Sequence, residues 1–84
     1  PYMLKMHSLI RPDHNMASIY HIIIKGKITA SLRHVGRNMQ IRQEEENVID
    51  IIGCLPDQSA LLNLLSELIN IRQEIISVQI LRTT

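Results

Sequence analysis

Apolar and polar positions alternate with a period of two in four stretches of the chain, and repeat near 3.6 in one. In Ser18–Ile28, Tyr20, Ile22, Ile24 and Ile28 share one face, while His21, Ile23, Lys25 and Lys27 share the other. That pattern predicts a strand with one buried side and one largely wet side. Gly26 falls inside it and marks a bulge or a close backbone approach. Met39, Ile41 and Gln43 alternate with Gln40 and Arg42, and after the polar turn Glu44–Asn47 the chain returns along Val48–Leu55. This reads as a β-hairpin, with Asn47 suited to a left-handed turn position. On the return strand Ile49, Ile51 and Leu55 share a face, and Val48, Asp50, Ile52 and Cys54 the opposite one. Both sides are partly apolar, so this strand is expected at the centre of a sheet. In the last strand, Glu74–Leu81, strict alternation places Ile76, Val78 and Ile80 on one side and Ile75, Ser77, Gln79 and Leu81 on the other.

The helical period lies in Pro56–Arg72. Leu61, Leu64, Leu65 and Leu68 follow the i, i+3, i+4, i+7 rule, and Leu62 and Ile69 widen the stripe. Asp57 is the expected N-cap, where an oxygen acceptor and a negative charge both suit the helix start. The stripe is broad enough to cover a sheet and leave leucine for a second contact. In Thr29–Asn38, Leu32 and Val35 stand three apart, which suits one or two helical turns capped by Thr29 or Ser31 and ended by Gly36.

The predicted order is strand, short helix, strand, strand, long helix, strand. This is an α+β domain of the ferredoxin-like βαββαβ pattern, a four-stranded sheet with one long and one short helix on one face. The other face stays open and is expected to carry Ile23, Val48 or Ile49, and Ile75. An open apolar face on so small a domain predicts self-association.

Composition narrows the picture. Eighty-four residues make one domain with a marginal core. Cys54 is the only cysteine, so no disulfide closes within the chain, and a reducing compartment fits best. The apolar content of 45% is almost wholly aliphatic, with no Trp or Phe and two Tyr, too apolar for disorder. No apolar run approaches the ~20 residues that span a bilayer. The segment PYMLKMHSLI is too short and interrupted for a signal peptide, and a cytoplasmic location is expected. The turn-rich RPDHN (Arg11–Asn15) precedes Met16, which reads as a natural start. Residues 1–15 are therefore expected to be an extension, flexible or vector-derived, and 16–84 the domain.

The stretch IIGCLPDQSALLNLLSELINIRQEIISVQIL resembles the ending of a family of small uncharacterised prokaryotic proteins. That ending runs Gly-x-Leu-x-Asp-Gln-x-x-Leu-x-x-Leu-Leu and closes on a strand with Ser-Val. The matching positions here run from Gly53, Leu55, Asp57 and Gln58 through Leu61, Leu64 and Leu65 to Ser77 and Val78. The likeness extends over about residues 18–81. Two departures stand out. The family's connector after the first strand is usually aromatic, and here it is TASLRHVGRN. Many members also place a glycine before the last strand, where this chain has INIRQEIIS. The resemblance implies the fold and no established activity.

Candidate chemistry is sparse. His7, His14, His21 and His34 lack the spacing of a metal-ligand pair, and no cysteine cluster joins them, so no metal site is expected. Cys54 precedes a helix start but has no identifiable base, and reads as a small buried residue. Gly26-Lys27 lacks the Gly-rich run of a phosphate loop. Glu44–Glu46 read as a solvated turn, and Asp57 as a structural helix cap. Net charge is +1, yet residues 1–43 hold seven Lys/Arg against Asp13 alone. Within that half, Lys25, Lys27, Arg33, Arg37 and Arg42 form the one candidate anion contact. RNA-binding modules of this topology stack bases on sheet aromatics, which VIDIIGCL lacks, so nucleic acid is disfavoured. The sequence thus predicts a non-enzymatic homo-oligomer without cofactor or membrane segment, devoted to interaction or to a small ligand at a subunit interface. The alternative is weak nucleic-acid or anion binding through the basic stretch.

Overall fold

The computed structural model describes residues 17–83. The expectation for residues 1–15, and with it His7 and His14, lies outside the described residues. The elements are β1 (Ser18–Lys25), α1 (Ala30–Val35), β2 (Gln40–Glu45), β3 (Val48–Leu55), α2 (Gln58–Asn70) and β4 (Glu74–Thr83). The protein is an α+β domain. Its four strands lie in the order β2-β3-β1-β4, so β3 and β1 are central and β2 and β4 form the edges. All neighbouring pairs are antiparallel. Each helix therefore joins two strands that run the same way with a third strand between them.

The register explains which side chains meet. Tyr20, Ile22 and Ile24 of β1 stand opposite Gly53, Ile51 and Ile49 of β3, and opposite Ile80, Val78 and Ile75 of β4. These residues make one face of the sheet, and Leu32 of α1 with Leu61, Leu64, Leu65 and Leu68 of α2 closes over it in a single core. Burying each such aliphatic side chain is worth roughly 1.5–3 kcal/mol, and among the described residues Tyr20 is the aromatic that joins them.

The helix ends follow local chemistry. Thr29 Oγ1 accepts the Leu32 N–H at 3.1 Å, and Asp57 Oδ1 accepts the Ala60 N–H at 2.9 Å. At the far end of α2, Gln73 N–H reaches the Leu68 carbonyl and Arg72 N–H the Ile69 carbonyl. This is the Schellman arrangement, which places Arg72 in the left-handed region at φ 65°.

Four expectations need correction. β1 ends at Lys25 rather than Ile28, because Gly26 turns away at φ 135° and its N–H bonds to the Asn47 carbonyl at 2.9 Å. Asn47 does not take a left-handed conformation; Arg72 is the only non-glycine among the described residues with positive φ. β4 does not alternate strictly. Register irregularities opposite Ile23/Ile24 and Ile19/Tyr20 shift its faces, so Ile75 is buried and Ile76 exposed. Ile75 thus belongs to the core, not to the open face; of Val48 and Ile49, Val48 lies on the open side and Ile49, opposite Ile24, in the core. Cys54 is exposed rather than buried, because it shares the parity of Val48, Asp50 and Ile52 on the uncovered side.

Gln43 is a tether that the alternating pattern did not single out. Its Oε1 accepts the Ile28 N–H at 3.2 Å, and its Nε2 donates to the carbonyls of Glu45 at 2.8 Å and Gly26 at 3.0 Å. One exposed amide thus ties the β1–α1 loop to the β2–β3 turn.

Candidate functional site

Two surfaces remain uncovered by the helices. The first is the open face of the sheet. Cross-strand register places His21 beside Ile52 and Gln79, and Ile23 between Asp50 and Ser77. Arg42 of β2 stands opposite Asp50 on its other side. His21 Nε2 lies 3.4 Å from Asp50 Oδ2, with the two side chains 20% and 15% exposed. The geometry is that of a contact, not a hydrogen bond, and the buried Nε2 has no hydrogen-bond partner among the described residues. A half-buried His–Asp contact thus sits among Ile23, Ile52 and Ser77. His34 is carried by α1 on the opposite face, so the sheet separates the two histidines.

The second surface is the β4 edge. β4 pairs with β1 on one side, and among the described residues its other side is unpaired. Four large aliphatic side chains are exposed here and on α2: Leu62 at 44%, Ile69 at 51%, Ile76 at 44% and Leu81 at 52%. Seven residues apart, Leu62 and Ile69 fall on the same flank of α2. The opposite flank, Ala60, Asn63 and Glu67, faces a groove toward β2. The Leu62–Ile69 flank therefore turns toward the β4 edge.

That groove has a volume of about 230 Å³. Val35, Met39, Leu55 and Leu64 form its apolar floor, with Arg37, Asn38, Asn63 and Glu67 at its rim. It is below the ~300–1,000 Å³ usual for ligand pockets. Arg37 spends one N–H on the His34 carbonyl at 2.8 Å.

The five basic residues do not form one patch. Lys25 and Arg42 lie on strands with their side chains toward the open face, whereas Arg33 and Arg37 belong to α1 and the turn after it, and Lys27 to the loop between. Acids stand beside two of them. Arg42 pairs with Glu44 at 3.3 Å and faces Asp50 across the strands, and Lys25 faces Glu74. Among the described residues, no group of three or more His, Cys, Asp or Glu could hold a metal ion, and no helix is long and apolar enough to cross a membrane. The sequence pattern put His21 on the largely wet face of its strand and Asp50 on a partly apolar face with Val48, Ile52 and Cys54, without joining them. The signal was in the parity of the two strands, but only the hairpin-to-β1 register makes them neighbours.

No curated protein and no solved structure matches this chain. The family described as Domain of unknown function (DUF8691) matches residues 19–79, from the second residue of β1 into β4. By that match over most of its length, the chain belongs to the DUF8691 family.

Proposed function

We propose that this domain is a non-enzymatic, cytoplasmic interaction module that works as a homo-oligomer. The observation that carries the reading is the exposure of Leu62, Ile69, Ile76 and Leu81 beside a sheet edge that no described residue pairs with. A small domain gains by burying such side chains against another surface. The strand order β2-β3-β1-β4, in which each helix links strands separated by a third, supports reading the fold as ferredoxin-like. The ending Gly53–Val78 lies within the matched stretch, which supports the likeness to small prokaryotic proteins of that pattern. A small regulatory ligand, if the module takes one, has the groove between Met39 and Leu55 as a candidate seat.

Weak nucleic-acid or anion binding through Lys25, Lys27, Arg33, Arg37 and Arg42 is the alternative. It is less well supported, because those side chains divide between two faces and two of them face acids across the strands. Native mass spectrometry of the full chain tests the main reading. A multiple of the chain mass, with no added small molecule, is expected. A monomer at micromolar concentration overturns it. Retention of short oligonucleotides, lost steeply with salt, would favour the alternative.

A further inference from the structure

We propose that β4 pairs antiparallel with β4 of a second copy, about a two-fold axis through Val78, to make a continuous eight-stranded sheet. The inference rests on the self-association proposed above and names the surface and the register. β4 is ten residues long, contains no proline or lysine, and has its outer edge unpaired among the described residues. Sheet edges usually carry such residues as blocks to pairing, and this edge lacks them. Its two irregularities are a partial block, but Ser77–Ile80 between them is regular and includes the proposed axis.

Charge fixes the register. Glu74 and Arg82 are the only charged residues of β4, one near each end. Both are exposed, and among the described residues neither forms an ion pair, although Lys25 stands opposite Glu74 across β1 and β4. With Val78 on the axis, Glu74 of each copy stands opposite Arg82 of the other, and Ile76 stands opposite Ile80. Residues opposite each other across antiparallel strands point to the same side. Both sets of helices therefore lie on one face of the joined sheet. The flanks of α2 that carry Leu62 and Ile69 then turn toward each other across the axis. One register thus pairs the end charges twice and directs the exposed aliphatic flank of α2 inward.

Sedimentation velocity on the full chain and on three variants tests this. Glu74→Arg alone and Arg82→Glu alone each set like charges opposite at both ends of the paired strands. Each is expected to raise the dimer dissociation constant about tenfold or more. The double variant Glu74→Arg/Arg82→Glu exchanges the charges and is expected to return to near the wild-type value. Circular dichroism melts of each variant establish that the fold is retained. A wild-type chain that is monomeric overturns both this inference and the function proposed above. A wild-type oligomer that is indifferent to the single reversals, or that the double variant does not restore, overturns the β4 register and leaves self-association standing.

Discussion

The sulfur of Met39 occupies the space that a side chain at Gly53 would fill. Gly53 lies in central strand β3 opposite the buried Tyr20, and Met39 precedes β2. A glycine inside a strand is costly unless something approaches it closely, and here a flexible thioether does. Gly53→Ala is therefore expected to lower stability by about 1–3 kcal/mol through overpacking. Met39→Ala, placed in the Gly53→Ala background, should restore part of the loss. A double-mutant cycle from urea denaturation measures the coupling. Strict additivity would show that the two residues do not compete for the same space.

Arg72 holds a left-handed conformation that a side chain disfavours. The hydrogen bonds of Gln73 and Arg72 to Leu68 and Ile69 demand that conformation to close α2. Arg72→Gly is expected to stabilise the fold by about 0.5–1 kcal/mol. The thermal midpoint should rise accordingly. A fall would mean that the arginine side chain makes a contact that outweighs its backbone strain.

Gln43 serves two loops by hydrogen bonding rather than packing. Gln43→Ala is expected to cost about 1–2 kcal/mol, the sum of a few modest bonds. Gln43→Glu has nearly the same shape but offers no N–H to the Gly26 and Glu45 carbonyls, so at neutral pH it should destabilise by a similar amount. Hydrogen exchange at the Ile28 and Gly26 amides reports the loosening locally. A Glu variant as stable as wild type would refute the tether.

The contact of His21 with Asp50 makes a single deletion worse than a double replacement. Asp50→Ala removes the carboxylate that lies 3.4 Å from the buried Nε2 of His21 and should cost up to about 1 kcal/mol. His21→Val/Asp50→Val replaces both with strand-forming apolar residues and should fall within about 0.5 kcal/mol of wild type. The double variant should also self-associate more strongly through its enlarged apolar face. Equilibrium denaturation and sedimentation read the two effects separately.

Much of the domain was legible from the chain. The leucines of α2 repeat at the helical period, and Leu61, Leu64, Leu65 and Leu68 are the buried ones. Asp57 caps by a local contact three residues from its donor, as the spacing indicated, and the structure decides for Thr29 over Ser31 at the other helix. The lack of a glycine before β4 was visible too, and within that stretch Arg72 takes the left-handed conformation. The faces of β4 were not legible. Period-two reasoning assumes one residue against one, and the irregularities opposite Ile23/Ile24 and Ile19/Tyr20 add residues that no local pattern announces. Cys54 was read by its composition as buried, although its parity already placed it with Val48 and Ile52.

The sequence by itself determined the order of the elements, the Asp57 cap and the aliphatic stripe, because these depend on residues a few positions apart. Only the tertiary structure decided that β1 lies between β3 and β4, that Met39 sits over Gly53, that His21 meets Asp50 and that β4 is an edge. Those facts depend on register between strands far apart in the chain. Register is settled by the collective fit of the core rather than by any short stretch.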